Sequence, residues 1–146
     1  MLYITRVATE EDMPRILEIE RDAISPPWSH GGLLSEIYKD DSFFALAVEN
    51  DMILGFIIMR HMDEDSELLQ VAVDSAYRRR GIADLLMESA LFWACDCGVG
   101  IVYLEVRKSN EAAIMLYEKH GFIQSGCRKE YFTDPLEDAI IMFNEV

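Results

Sequence analysis

Residues 71–91 read VAVDSAYRRRGIADLLMESAL, a β-branched run that passes through three consecutive arginines and a glycine into a segment of helical apolar spacing. No other stretch restricts the fold as much. A strand that feeds a helix belongs to a layered α/β arrangement in which the helix packs back on the sheet. The joint is also chemically specific. The first turn of a helix leaves backbone N–H groups unpaired, and aligned peptide dipoles concentrate partial positive charge there. A phosphate can accept several of those hydrogens together. Gly81 and the small Ala83 permit close approach of the backbone, while Arg78, Arg79 and Arg80 add charge and forked donors. In a chain of formal net charge −14, this pattern predicts a pyrophosphate cradle over residues 78–83. The alternative is a basic helix start that only offsets surface acidity. Neither GKS nor GKT follows, so this is no Walker loop, and the three-glycine dinucleotide fingerprint is missing.

The remaining chain reads as a single domain over 1–146, with a balance of apolar and charged residues ordinary for a globular protein. FFALAV and ILGFIIM have strand length, too short to span a bilayer, and MLYITRVATEEDM lacks the features of a signal peptide. A soluble cytoplasmic protein is expected. Cys95, Cys97 and Cys127 form no even disulfide framework and read as reduced, mostly buried thiols. His30, His61 and His120 show no paired ligand spacing, so no metal is expected. The acidic balance argues against a nucleic-acid binder; it would either draw in a cationic partner or serve only to keep the protein soluble.

Local signals set the element order. YITRVA is a strand, followed by a helix that Thr9 and Asp12 open in the manner of a capping box, with Ile16, Leu17, Ile19 and Ile24 on an approximate stripe. SPPW stops it, and Ser29 can cap a second helix whose Gly31 and Gly32 weaken its first turn. SFFALAVE and ILGFIIMRHM form a hairpin, and LLQVAVD is a central strand. Ile82, Leu85, Leu86, Ala90, Trp93 and Cys97 fall at helical spacing before Gly98 ends the helix. IVYLEVR, the helix NEAAIMLYEKH, and two strands around TDPL complete a mixed sheet with helices on its faces.

The run Arg78-Arg79-Arg80-Gly81-Ile82-Ala83 resembles the cofactor motif of the GCN5-related N-acetyltransferases (GNAT), Arg/Gln-x-x-Gly-x-Gly/Ala. Three further stretches, SPPWSHGGLLSEI, LEVRKSNEAAIMLYEKHGF and RKEYFTDPLEDAIIM, resemble the ribosomal-protein-alanine N-acetyltransferases (RimI type) of that superfamily. The likeness covers nearly the whole chain. It departs at Ala83, where a glycine is frequent, and at the glycine-rich HGG. The resemblance implies the GNAT fold: a mostly antiparallel sheet of about seven strands with four helices, splayed to hold acetyl-CoA. By the same resemblance the amides at 79–84, with Arg78, hold the pyrophosphate. Val71, Ala72 and Val73, on a strand that bulges there, pair with the pantetheine arm, and Asn110 also reaches the cofactor. Glu105 is then the base and Tyr117 the acid, with Trp28, Ser29 and Tyr131 on the acceptor side.

The residues allow this assignment. Glu105 shares a strand face with Ile101 and Tyr103, where a carboxylate among apolar neighbours is suited to accept a proton. A Glu105–Arg107 surface pair is the alternative, and Tyr117 could equally be a core aromatic. The implied mechanism is direct. A neutral amine attacks the thioester, an N–H from Val73 stabilises the developing oxyanion, Glu105 removes the amine proton, and Tyr117 protonates the thiolate. Cys97 and Cys127 have no histidine placed to activate them as nucleophiles. An α-amine of pKa about 7.7–8.0 gives up its proton at pH 7 for roughly 1 kcal/mol, against nearly 5 kcal/mol for a lysine near 10.4. This favours an N-terminal amine over lysine, and the resemblance implies as acceptor an N-terminal peptide of a ribosomal protein, most simply the N-terminal alanine of a small-subunit one. A small amine, and a non-catalytic coenzyme A-binding module, are the competing readings.

Overall fold

The entrance to the first helix is fixed by one acidic side chain. In the computed structural model, which describes residues 3–146, strand β1 (Ile4–Val7) leads into a short 3-10 turn and then helix α1 (Met13–Ala23). Asp12 accepts the Thr9 N–H at 2.8 Å and both Arg6 guanidinium nitrogens at 2.8 and 2.9 Å. The Arg6 hydrogen bonds hold its carboxyl down to about 2. Ser29 caps α2 (His30–Tyr38), its hydroxyl accepting the Gly32 N–H at 3.0 Å, as its sequence position predicts. Strands β2 (Ser42–Glu49), β3 (Met52–Met62) and β4 (Asp65–Val73) follow as a meander. Helix α3 (Ile82–Asp96), β5 (Ile101–Arg107), α4 (Glu111–Lys119), β6 (Ile123–Phe132) and β7 (Glu137–Glu145) complete the order.

The seven strands lie in the order β1-β2-β3-β4-β5-β7-β6. Every pairing is antiparallel except β4 with β5. Period-two alternation divides the apolar side chains between two layers. Met13, Ile16 and Ile19 of α1 and Leu33 of α2 pack with Phe44, Leu46, Phe56 and Ile58 on one face. Ile82, Leu86, Met87 and Ala90 of α3 and Tyr117 of α4 pack with Ile57, Met59, Leu104 and Met142 on the other. Strand β3 is therefore buried on both sides, which explains the unbroken apolar run ILGFIIM.

Two expectations need correction. The bulge of β4 lies at Leu69, where the register passes from Ile58↔Gln70 to Met59↔Leu68, and not at residues 71–73. Residues 71–73 pair regularly with 55–57 because Gly55 brings β3 unusually close: a Cβ there would meet the Ala72 carbonyl oxygen at 2.7 Å. Backbone cannot yield as a flexible side chain can. Gly55→Ala is expected to destabilise the fold by about 1–3 kcal/mol, read by chemical denaturation. The cysteines are likewise exposed, all three, rather than mostly buried. Ala94 takes the buried position at the end of α3, leaving Cys95 and Cys97 to solvent, and Cys127 lies on the exposed outer strand β6. Among the described residues no helix is long and apolar enough to cross a membrane, and no cluster of metal-ligating side chains occurs.

Candidate active site

The site begins where the sheet parts. Strands β4 and β5 pair only at Asp65↔Ile101, Ser66↔Val102 and Glu67↔Tyr103, so residues 68–73 and 104–107 face each other across an open wedge. The Asp74 N–H donates to the Leu54 carbonyl at 2.8 Å. Antiparallel alternation then turns the Val73 N–H and carbonyl away from β3, toward the wedge. The Arg78 Nε donates to that Val73 carbonyl at 3.4 Å.

Beyond Val73 the chain makes the strand–helix joint foreseen from sequence. Asp74 fixes its start, accepting the Ala76 N–H at 2.9 Å and an Arg15 nitrogen at 2.5 Å, and these bonds hold its carboxyl below the usual range. Arg79 (φ +64°) and Gly81 (φ +80°) both take left-handed backbone, and Leu85 N–H to Gly81 carbonyl, 3.0 Å, is the first bond of α3. The amides of residues 78–84 donate no hydrogen bond to the described residues. A Cβ placed on Gly81 meets no protein atom within 4 Å, so the space above these amides is open. Free amides, open space and the exposed Arg78, Arg79 and Arg80 fit a pyrophosphate. Ile82 is buried beneath the turn, and Ala83 follows it half-buried. The Asp84 carboxylate is engaged elsewhere, by His120 at 2.8 Å and Lys119 at 3.1 Å, so only its backbone faces a ligand's needs. Asn110 caps α4, its Oδ1 accepting the Ala113 N–H at 3.2 Å.

Glu67, Tyr103 and Glu105 share the sheet face opposite α3 and line a pocket of about 210 Å³ with Arg128 and Ile141. Glu105 Oε2 is wholly buried and accepts no hydrogen bond; Arg128 Nε lies 3.5 Å away, an ion-pair distance without hydrogen-bond geometry. Tyr131, exposed at the rim, has its hydroxyl pushed up by burial and by the Glu105 charge. The Glu67 carboxyl is pushed up by burial and, next, by Glu105. A buried acceptor oxygen in a negatively charged recess suits an amine. The Glu105–Arg107 pair does not form. Arg107 instead pairs with Glu137 at 3.3 Å and donates to the carbonyls of Ser25, Thr133 and Pro135 at 2.8–2.9 Å. It thereby clamps the α1–α2 loop to the β6–β7 loop, a role no sequence motif marked.

Tyr117 is buried in the α3–α4 layer, its ring 6.0 Å from that of Phe122 and tilted by 59°, in the same cluster that Val71 and Val73 pack against. Burial pushes its hydroxyl up to about 12, so the proton stays on the oxygen at neutral pH. Ala72 points the other way, into the α1–α2 layer. Trp28 packs half-buried on that layer, its N–H donating to Glu20, while Ser29 is spent on its cap. Val71 and Val73 thus lie on the wedge strand that leads into the 78–84 turn; Glu105 lines the pocket with Tyr131 beside it, and Tyr117 lies in the layer on the other face.

A wedge between parallel strands, an amide cradle at its wide end and a carboxylate pocket alongside define an acyl-group transferase that works from a phosphate-bearing carrier. Comparison with known proteins gives the family. The acetyltransferase (GNAT) family model matches residues 13–122. The [ribosomal protein bS18]-alanine N-acetyltransferase of Escherichia coli K12 is 37% identical over 133 residues, 90% of this chain and 89% of that one. The Haemophilus influenzae protein of the same name is 35% identical over 135 residues, 90% of each. A crystal structure of the E. coli ribosomal-protein-S18-alanine N-acetyltransferase superposes with a TM-score of 0.91 at 32% identity, covering 99% of this chain and 94% of the other. Ard1 from Thermoplasma volcanium has the same fold, with a TM-score of 0.92 at 23% identity over 100% and 99%. The chain belongs to the acetyltransferase (GNAT) family, as an N-acetyltransferase whose acyl donor is acetyl-CoA.

Proposed function

We propose that this enzyme acetylates the N-terminal α-amine of a protein, and that its acceptor is the N-terminal alanine of a small-subunit ribosomal protein, met in the cytoplasm. The observation that carries the reading is the buried Oε2 of Glu105, which accepts no hydrogen bond, on the strand whose Arg107, two residues on, holds the α1–α2 and β6–β7 loops together. The relatives' named acceptor supports the ribosomal assignment.

In this reading the amides of residues 79–84, with Arg78, hold the donor's pyrophosphate, and Val71 and Val73 offer backbone groups to its extended arm. The Val73 N–H donates to the thioester oxygen as negative charge develops there. Glu105 takes the proton of the attacking amine. Tyr117, still protonated, supplies the proton that the departing thiolate needs. The pocket's negative charge attracts the acceptor as an ammonium, and the α-amine's modest pKa, about 7.7–8.0, keeps deprotonation affordable to one glutamate.

The test offers acetyl-CoA with a peptide beginning in alanine, the same peptide N-terminally blocked, and a polyamine at equal concentration. Addition of one acetyl group to the free peptide alone, read by mass, is the expected result. Preferential acetylation of the polyamine would reassign the acceptor.

A further inference from the structure

Two carboxylates of this protein are almost wholly buried, and they are handled in opposite ways. Glu36 accepts from Arg60 at 2.5 Å and Lys39 at 2.7 Å. Glu20, on α1 and fully buried, has no cation paired with it among the described residues. Its Oε2 accepts two bonds, from the Trp28 N–H at 2.8 Å and from Gln70 Nε2 at 3.0 Å, while its Oε1 accepts none. Gln70 Oε1 is also buried and without a donor. Such a group is costly to keep in a core unless its bonds serve a purpose.

Its two partners join distant parts of the fold. Trp28 belongs to the α1–α2 loop, which Arg107, two residues beyond Glu105 on β5, holds at the Ser25 carbonyl. Gln70 follows Leu69, the bulge residue of β4, and precedes Val71 and Val73 on the wedge. We propose that Glu20 is a positioning residue for the acceptor: its hydrogen bonds, rather than its charge, lock the α1–α2 loop to the central strand beside the wedge. Arg107 holds the near end of that loop at the Ser25 carbonyl, and Glu20 holds the far end at the Trp28 N–H. Burial pushes the Glu20 carboxyl up. The two buried oxygens without partners, Glu20 Oε1 and Gln70 Oε1, belong to the two side chains that the bond from Gln70 Nε2 already joins. The amide of Gln has the same shape and keeps an oxygen to accept both bonds, so Glu20→Gln preserves the arrangement and Glu20→Ala destroys it.

This inference rests on the loop's being the acceptor's, so it is tested with two independent readouts. The first is exchange of the Trp28 amide hydrogen, which needs no substrate. The second is the separation of peptide KM from kcat and from acetyl-CoA Kd. In Glu20→Ala, Trp28 exchange should accelerate and peptide KM rise about 10-fold or more, as expected for losing bonds to a buried partner. Acetyl-CoA Kd and kcat should stay within about 3-fold, and Glu20→Gln should restore both readouts. Should Glu20→Ala fail to fold, Gln70→Leu, which keeps volume and removes the amide, is expected to show the same two changes in smaller measure. An unchanged Trp28 amide, a Glu20→Gln variant as impaired as Glu20→Ala, or losses of KM, kcat and acetyl-CoA Kd in step would each overturn the proposal. Faster Trp28 exchange with no peptide turnover even in the unaltered enzyme would instead sink the acceptor reading and leave the Glu20 lock standing.

Discussion

Glu105→Gln will bind acetyl-CoA as the unaltered enzyme does and transfer acetyl about 10²–10⁴-fold more slowly, the range for removal of a general base. The substitution changes one atom. It keeps the volume of a side chain whose neighbours Leu104 and Val106 are core residues, so the strand has no reason to shift. It replaces the buried, unbonded acceptor oxygen with a group that cannot take a proton, and it cancels the charge opposite Arg128. Calorimetry with acetyl-CoA separates the two halves of the expectation, because the amide cradle over residues 78–84 lies at the other end of the wedge. Transfer within about 3-fold of normal would remove Glu105 from its role. Glu67, which faces the same pocket with its carboxyl already pushed up by burial, would then be the next base to test.

Tyr117→Phe will lower kcat by about 100-fold or more, with acetyl-CoA Kd and peptide KM little changed. The ring that packs on Phe122 is retained, so the α3–α4 layer keeps its fill and only the hydroxyl is lost. The pH dependence adds a second check. Burial raises the Tyr117 pKa from 10 to about 12, so the neutral, proton-bearing form prevails at every pH below that value. The rate of the unaltered enzyme should therefore show no fall attributable to Tyr117 below about pH 11. The variant's pH profile should keep the same shape at a lower height. A break in the unaltered profile near pH 10 that vanishes in Tyr117→Phe would show that the hydroxyl is solvated, and that burial does not govern it.

Local signals carried the element order well, for reasons visible in single residues. Ser29, Gly98 and Gly121 act at helix ends, where one side chain or one left-handed residue decides the outcome. The phosphate cradle was legible because its chemistry resides in consecutive residues. The wedge was not: parting of β4 from β5 depends on which strands meet across more than thirty intervening residues, and only the family likeness supplied it. The bulge lies a few residues earlier than the likeness implies because register depends on the partner strand, and the shift falls opposite Ile58 and Met59 of β3. Cys95 and Cys97 read as buried by residue type, but helix phase at the C-terminal end of α3 sets their exposure. Glu20 passed as one charge among many in EIERD. Its signal was there, since it lies four residues after Ile16 and so on the buried stripe. Arg107 gave no such sign, because its partners are carbonyls of two remote loops.

Unpaired strand edges at the rim of a sheet invite other chains to add to it and so promote aggregation. This molecule keeps its outer rims unattractive: β1 is only four residues long, and β6 carries Arg128, Lys129 and Glu130. Its recognition edges are indoors, along β4 and β5 past their third rung. A notch enclosed by its own sheet admits one slender, extended guest and refuses a second sheet. The enzyme thus has the adhesive backbone of an open edge without the hazard of sticking to its own copies.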